Sequence, residues 1–267
     1  AIYFPDERVQ ERKPESFKAQ LGERKGDSIT WLCDGVLINS RWILSAAHCF
    51  IKPDVTPNVV RLGDYDISDP NDPLPFVEDK EFIRDYPIHK LVPHPEFNIN
   101  ERYHDLALIQ IPKEIPQSAH NYIPICLPWD SETNKNLVGS EVALTGWGAT
   151  EYGGSKTNIL QEVTLKVFNT SVCNEAYTNV RNIKNRYPRG ITSDRLLCVG
   201  WDEDGKDACG GDSGAPIVYD NSGRYTLAGI VSGGFGCGLK QYPGLYIPIN
   251  KPKYLQWIKD VAFNEAN

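Results

Sequence analysis

A serine set among glycines, Gly210-Gly211-Asp212-Ser213-Gly214, is the segment of this chain best suited to chemistry. Glycines let a backbone approach a carbonyl closely and aim amide N–H groups at a developing oxyanion. Serine is a poor nucleophile at neutral pH, so it needs a base, usually histidine, and a carboxylate to orient that base. Ser45-Ala46-Ala47-His48-Cys49 and His104-Asp105-Leu106-Ala107-Leu108-Ile109 supply both. The order is His, Asp, Ser, and the chemistry it suggests is acyl transfer through a serine.

These residues must be held by a folded scaffold, and composition allows one. With 267 residues, 40% hydrophobic and 10% aromatic, the chain is not disordered, and no apolar run approaches the roughly 18 residues of a membrane span. A net charge of −7 argues against nucleic-acid or anionic-membrane partners, which call for a basic surplus. The chain starts at Ala1 and contains no methionine, so a processed product is expected. Seven cysteines without a metal-binding spacing point to an oxidising compartment, hence to a secreted, extracellular protein. Asn169-Thr170-Ser171 is a glycosylation acceptor usable on the secretory route.

Short β-rich runs dominate: Gly35–Ile38, Trp42–Leu44, Asn58–Leu62, Leu106–Ile111, Ser140–Thr145, Gln161–Val167, Ala215–Tyr219, Thr226–Val231 and Gly244–Ile249. Gly, Pro, Asn and Asp turns separate them, which indicates antiparallel barrels or sandwiches. The clearest helix runs from Lys251 to about Phe263, with Tyr254, Leu255, Ile258 and Ala262 at helical spacing behind Pro252. Ser68–Glu81, Gly153–Thr157 and Asn179–Thr192 read as insertions on this scaffold. No linker divides the chain, so 1–267 is expected to be one domain.

Leu44-Ser-Ala-Ala-His48-Cys49, Asp105-Leu-Ala-Leu-Ile109, Thr145-Gly-Trp-Gly148, Asp207-Ala-Cys-Gly-Gly-Asp-Ser-Gly214 and Val231-Ser232 resemble the trypsin-like catalytic domains of chymotrypsin-family serine proteases, from about Cys33 to the C-terminus. The resemblance implies an all-β fold: two six-stranded antiparallel β-barrels packed together, the active site between them, and a C-terminal helix. It implies that Ser213 attacks the scissile carbonyl, His48 moves the proton and Asp105 fixes the imidazole tautomer. The N–H groups of Gly211 and Ser213 would form the oxyanion hole, and Ser232 would support Asp105. His89, His94, His104 and His120 are assigned surface or packing roles.

Asp207, six residues before Ser213, matches the base of the primary pocket. A buried carboxylate without a protein partner traps a substrate Arg or Lys. Gly234 and Gly244 match the pocket walls and leave room for a long basic side chain. Gly233 stands where the family has a tryptophan, so the aromatic platform for residues upstream of the cut is missing, and Ala215 replaces a glycine. The family pairing implies disulfides Cys33–Cys49, Cys173–Cys198 and Cys209–Cys237. Cys126 is left to tie the domain to an upstream light chain. A new N-terminal ammonium should pair with Asp212; no Ile-Val-Gly-Gly precedes Cys33, and the amines of Ala1 and, after cleavage of Arg8–Val9, of Val9 both remain candidates.

No cofactor is required. The acidic segment Asp64, Asp66, Asp69, Asp72, Glu78, Asp79 and Glu81 occupies the place of the family's calcium loop, where Ca²⁺ and a solvated face are both open readings. Arg181, Lys184, Arg186 and Arg189 are either a solvated loop or an exosite for an acidic partner. The longer loops, Arg61-Leu-Gly-Asp64-Tyr-Asp66 and Tyr122-Ile-Pro-Ile-Cys126-Leu-Pro128 look most like arthropod clip-type cascade proteases. The resemblance thus implies protein substrates cleaved after Arg or Lys and serpin-type inhibitors. A catalytically silent or zymogen-like binding protein on the same fold and a digestive trypsin are the alternatives.

Overall fold

The protein is described here by a computed structural model covering residues 14–52, 54–69, 83–115 and 122–264. A first sheet contains β1 (Lys18–Lys25), β2 (Ser28–Leu37), β3 (Trp42–Ser45), β4 (Val59–Leu62), β5 (Arg84–Pro87), β6 (Lys90–Pro93) and β7 (Ala107–Gln110). Its order is β5-β4-β1-β2-β3-β7-β6, every pair antiparallel. A second sheet, of β8 (Glu141–Gly146), β9 (Gln161–Phe168), β10 (Leu197–Gly200), β11 (Pro216–Asp220), β12 (Tyr225–Gly233) and β13 (Gly244–Pro248), closes into a barrel in the order β10-β13-β12-β11-β8-β9.

The second sheet is the expected six-stranded barrel. The first departs from expectation, with seven segments and no ladder between its edges among the described residues. Those edges, β5 and β6, are separated in the chain only by Ile88 and His89. Ile88 N donates to Asn58 O (3.0 Å) and His89 N to Gln110 O (2.8 Å), so one bent run passes from the β4 side to the β7 side and curls the sheet. Pro87, which has no N–H to donate to a ladder, stands at the bend.

Burial explains the pairing. β3 and β7 are buried along their whole length, whereas β2 passes from exposed Ser28 to buried Leu37 as it enters the core. Leu21, Val36, Leu44 and Leu108 meet in the first core; Leu144, Leu165, Ile217 and Tyr246 fill the second. Among the described residues three α-helices accompany the sheets: α1 (Thr170–Tyr177), α2 (Ile183–Arg186) and α3 (Pro252–Ala262). In α3 the expected Tyr254, Leu255, Ile258 and Ala262 are the buried face and Pro252 opens the helix. Asn39 Nδ2 donates to Ala262 O at 2.8 Å, docking its end against the first sheet. Cys33–Cys49, Cys173–Cys198 and Cys209–Cys237 are bridged, and Cys126 is free. Among the described residues no helix is long and apolar enough to cross a membrane.

Candidate active site

His48 lies in the short 3₁₀ turn Ala47–Phe50 directly after β3, anchored next door by Cys49 to Cys33 of β2. Asp105 enters from the segment before β7, behind His104, whose left-handed φ of 54° turns the chain there. Asp105 is fully buried. Its Oδ1 accepts the His48 backbone N–H at 2.8 Å, and its Oδ2 accepts both His48 Nδ1–H and the Ser232 hydroxyl at 2.6 Å. Burial pushes this carboxylate up, but the imidazole, the hydroxyl and the amide together hold it below its ordinary value. With Nδ1–H donated inward, Nε2 carries the free lone pair and is the basic end of the ring.

Ser213 sits in a turn between the sheets, where its carbonyl accepts the Asp34 N–H of β2 at 2.8 Å. Its hydroxyl is not hydrogen-bonded to His48, as is common before a substrate aligns the pair. Neither the Gly211 nor the Ser213 amide donates to an acceptor among the described residues, leaving two donors for an oxyanion. Gly211 adopts φ 112°. Gly214 adopts φ 82°, and a Cβ there would fall onto Ser45 Oγ and the Asp34 carbonyl.

Asp212 points away from these donors. Its Oδ1 accepts Gly148 N–H (2.8 Å) and its Oδ2 Cys209 N–H (2.9 Å). Beside it lies a pair the sequence did not single out. Lys18 Nζ, buried, donates to Asp34 Oδ2 (3.1 Å) and Thr145 O (2.6 Å). Burial lowers Lys18 and raises Asp34 to about 6 against their mutual attraction; burial likewise raises Asp212, partly offset by its two amides and by Lys18. Lys156 reaches across Gly211 to donate to Trp31 O at 2.9 Å. Two lysines thus stand near two buried carboxylates. Lys18 lies with Gln20 on the face opposite Phe17, Ala19 and Leu21, a pattern that reads as solvent-facing although both are buried.

Asp207 lies behind Gly234 and Gly244. A Cβ on Gly244 would come within 3.2 Å of Asp207 Oδ1, and one on Gly234 within 3.8 Å of Gly244 Cα, so the two glycines define a slot before the carboxylate. Asp207 accepts Ala208 N–H (2.8 Å) and Gly238 N–H (3.2 Å) and has no cation partner among the described residues. Burial raises it to about 7, more than those two amides offset.

The remaining candidates serve structure where they are described. Asn169 caps α1, its side chain accepting Ser171 N–H at 3.0 Å, and is exposed. Asp64 faces Arg61 (3.2 Å) and Asp66 turns onto Ser68, while Asp72, Glu78, Asp79 and Glu81 lie outside the described residues. His94 and His104 stack at 5.2 Å, and His104 bonds Tyr254 OH (3.1 Å), which is a packing role. His89 is exposed; His120, Ala1, Arg8 and Val9 lie outside the described residues.

Residues 7–258 match the family model described as Trypsin. The chain belongs to the trypsin family. Trypsin II-P29 of Gallus gallus is 37% identical over 229 residues, 85% of this chain and 78% of that protein. Clotting factor G beta subunit of Tachypleus tridentatus is 31% identical over 259 residues, 95% of this chain and 78% of that protein. Melanization protease 1 of Drosophila melanogaster is 36% identical over 242 residues, 85% of this chain and 57% of its own length. Relatives of this trypsin-family chain are serine proteases, among them cascade proteases of arthropods. The chain spans only 27% of a longer one, serine proteinase stubble of Drosophila melanogaster.

Proposed function

We propose that the chain is a serine endopeptidase that cleaves after Arg or Lys through an acyl-enzyme. The observation that carries it is the His48 imidazole, held on its Nδ1 side by a buried Asp105 that is itself held by Ser232. His48 Nε2 takes the Ser213 proton as Oγ attacks, and returns it to the leaving amine; water then repeats the sequence on the ester. Gly211 and Ser213 amides carry the oxyanion. Asp207, half-buried and without a cation, supplies the preference for a basic side chain. Protein substrates, serpin-type inhibitors, an extracellular setting and a link through Cys126 to an upstream chain follow from the kinship with clotting and melanization proteases. Glycosylation at Asn169 belongs to the same setting, and Ca²⁺ at the segment from Asp64 to Glu81 is a separate proposal resting on its carboxylates. Covalent labelling of Ser213 by an organophosphonate, with hydrolysis of an arginyl ester, tests the reading. A folded protein that neither labels nor hydrolyses even after cleavage of Arg8–Val9 is instead a silent binding protein.

A further inference from the structure

A cavity of about 300 Å³ opens beside His48, bounded by Ser232, Gly233 and Gly234 at the end of β12 and by Arg102, Arg181 and Arg186 opposite. Arg102 N–H donates to Arg186 O at 2.9 Å, a backbone contact that brings the segment before Asp105 and helix α2 to one wall. Among the described residues none of these three guanidiniums has a carboxylate within 4.0 Å, whereas neighbouring Arg189 pairs with Glu101 (3.0 Å) and Arg195 with Asp194 (3.7 Å). In a chain of net charge −7, three unpaired cations around one concave site are a local reversal of sign. Low-dielectric walls focus such a field, and guanidinium is the side chain best matched to a carboxylate. Gly233 contributes no side chain, and a Cβ there would meet only Tyr187 OH, at 3.9 Å, so the space over the end of β12 is uncrowded.

We propose that this cavity is a subsite for an acidic side chain of the peptide substrate, roughly two to four residues upstream of the cut, as an extended peptide advances about 3.3 Å per residue. The proposal rests on the protease reading, because it needs a peptide laid along Gly233 with its scissile bond at Ser213. A peptide is favoured over an acidic polysaccharide because the cavity is continuous with His48 and with the open strand end.

The test uses the active enzyme and paired fluorogenic arginyl peptides that differ only by Asp or Asn at each upstream position. At one of them kcat/KM should be about tenfold higher for Asp, with the ratio shrinking in high salt. Arg102→Gln with Arg186→Gln should bring the ratio to about one, and Arg186→Glu should turn it toward a Lys-bearing peptide. The Arg102–Arg186 contact runs through backbone and persists in these variants. A ratio near one in the wild type, or one the variants leave intact, overturns the subsite. So does tight binding of a sulfated oligosaccharide without any peptide preference. Failure to cleave any arginyl substrate strikes the protease reading instead.

Discussion

Asp207 makes the clearest single-residue prediction, because its charge is both costly and useful. A folded-state pKa raised to about 7 means that the empty protein loses stability as pH rises through 7 and the carboxylate ionises. A bound cation needs that ionised form. Affinity for a benzamidine-type ligand should therefore fall about tenfold per unit below pH 7 and level off above it, and the ligand's increment to Tm should grow over the same window. Calorimetric titration across pH 5–9 checks this, and a flat profile removes Asp207 from the pocket floor. Asp207→Ser should lower kcat/KM for an arginyl ester by about a thousandfold, equivalent to roughly 4 kcal/mol. Lys18 is the other decisive residue. Lys18→Met leaves Asp34 buried without its partner and should cost about 3–5 kcal/mol in urea unfolding, whereas Lys18→Met with Asp34→Asn should recover most of the loss. Equal destabilisation by the single and double variants would deny the pair.

At the scale of elements, α1 separates two uses of one side chain. Asn169→Asp keeps the oxygen that accepts Ser171 N–H but ends the acceptor triplet, while Asn169→Ala ends both. Thermal unfolding should place Asn169→Ala about 1 kcal/mol below Asn169→Asp, and mass spectrometry of secreted protein should find glycan on neither. Elements differed in how far sequence exposed them. β3, β8, β9, β11, β12 and β13 alternate or run apolar between turns, and α3 repeats its buried residues with helical period. β1 was invisible because Lys18, Gln20, Glu23, Arg24 and Lys25 read as solvent-facing, although Lys18 and Gln20 are buried. β5 and β6 are short, half exposed and interrupted by prolines, so only their neighbours identify them. The same contrast holds for the site. His48, Asp105 and Ser213 carry motifs because chemistry demands those types at those places; Lys18, Asp34 and Arg102 act through contacts between residues far apart in sequence.

The whole molecule divides its site between two sheets. His48 and Asp105 belong to the curled sheet; Asp207, Ser232, Gly234 and Gly244 belong to the closed barrel, with Ser213 between. Asp212 accepts two amides and has no ammonium within 4.0 Å among the described residues, so a new N-terminal ammonium can pair with it, and cutting Arg8–Val9 should raise the fraction of titratable sites. N-terminal sequencing with active-site titration measures this, and full titration of an intact chain with an acetylated Ala1 would count against it. Polar bonds that cross between the halves include Asp34 N–H to Ser213 O, Lys18 to Thr145 O, Lys156 to Trp31 O, and Ser232 to Asp105. One apolar cluster also crosses the seam, running from Leu21, Leu44 and Leu108 of the first sheet to Leu227, Ile230 and Leu245 of the barrel, while a second fills the barrel alone. Hydrolysis is therefore a gauge of registry, reporting how accurately two sheets that share one apolar cluster are seated on one another. Because that cluster belongs to both sheets, they should unfold as one in denaturant, with turnover and the circular dichroism of the strands lost together.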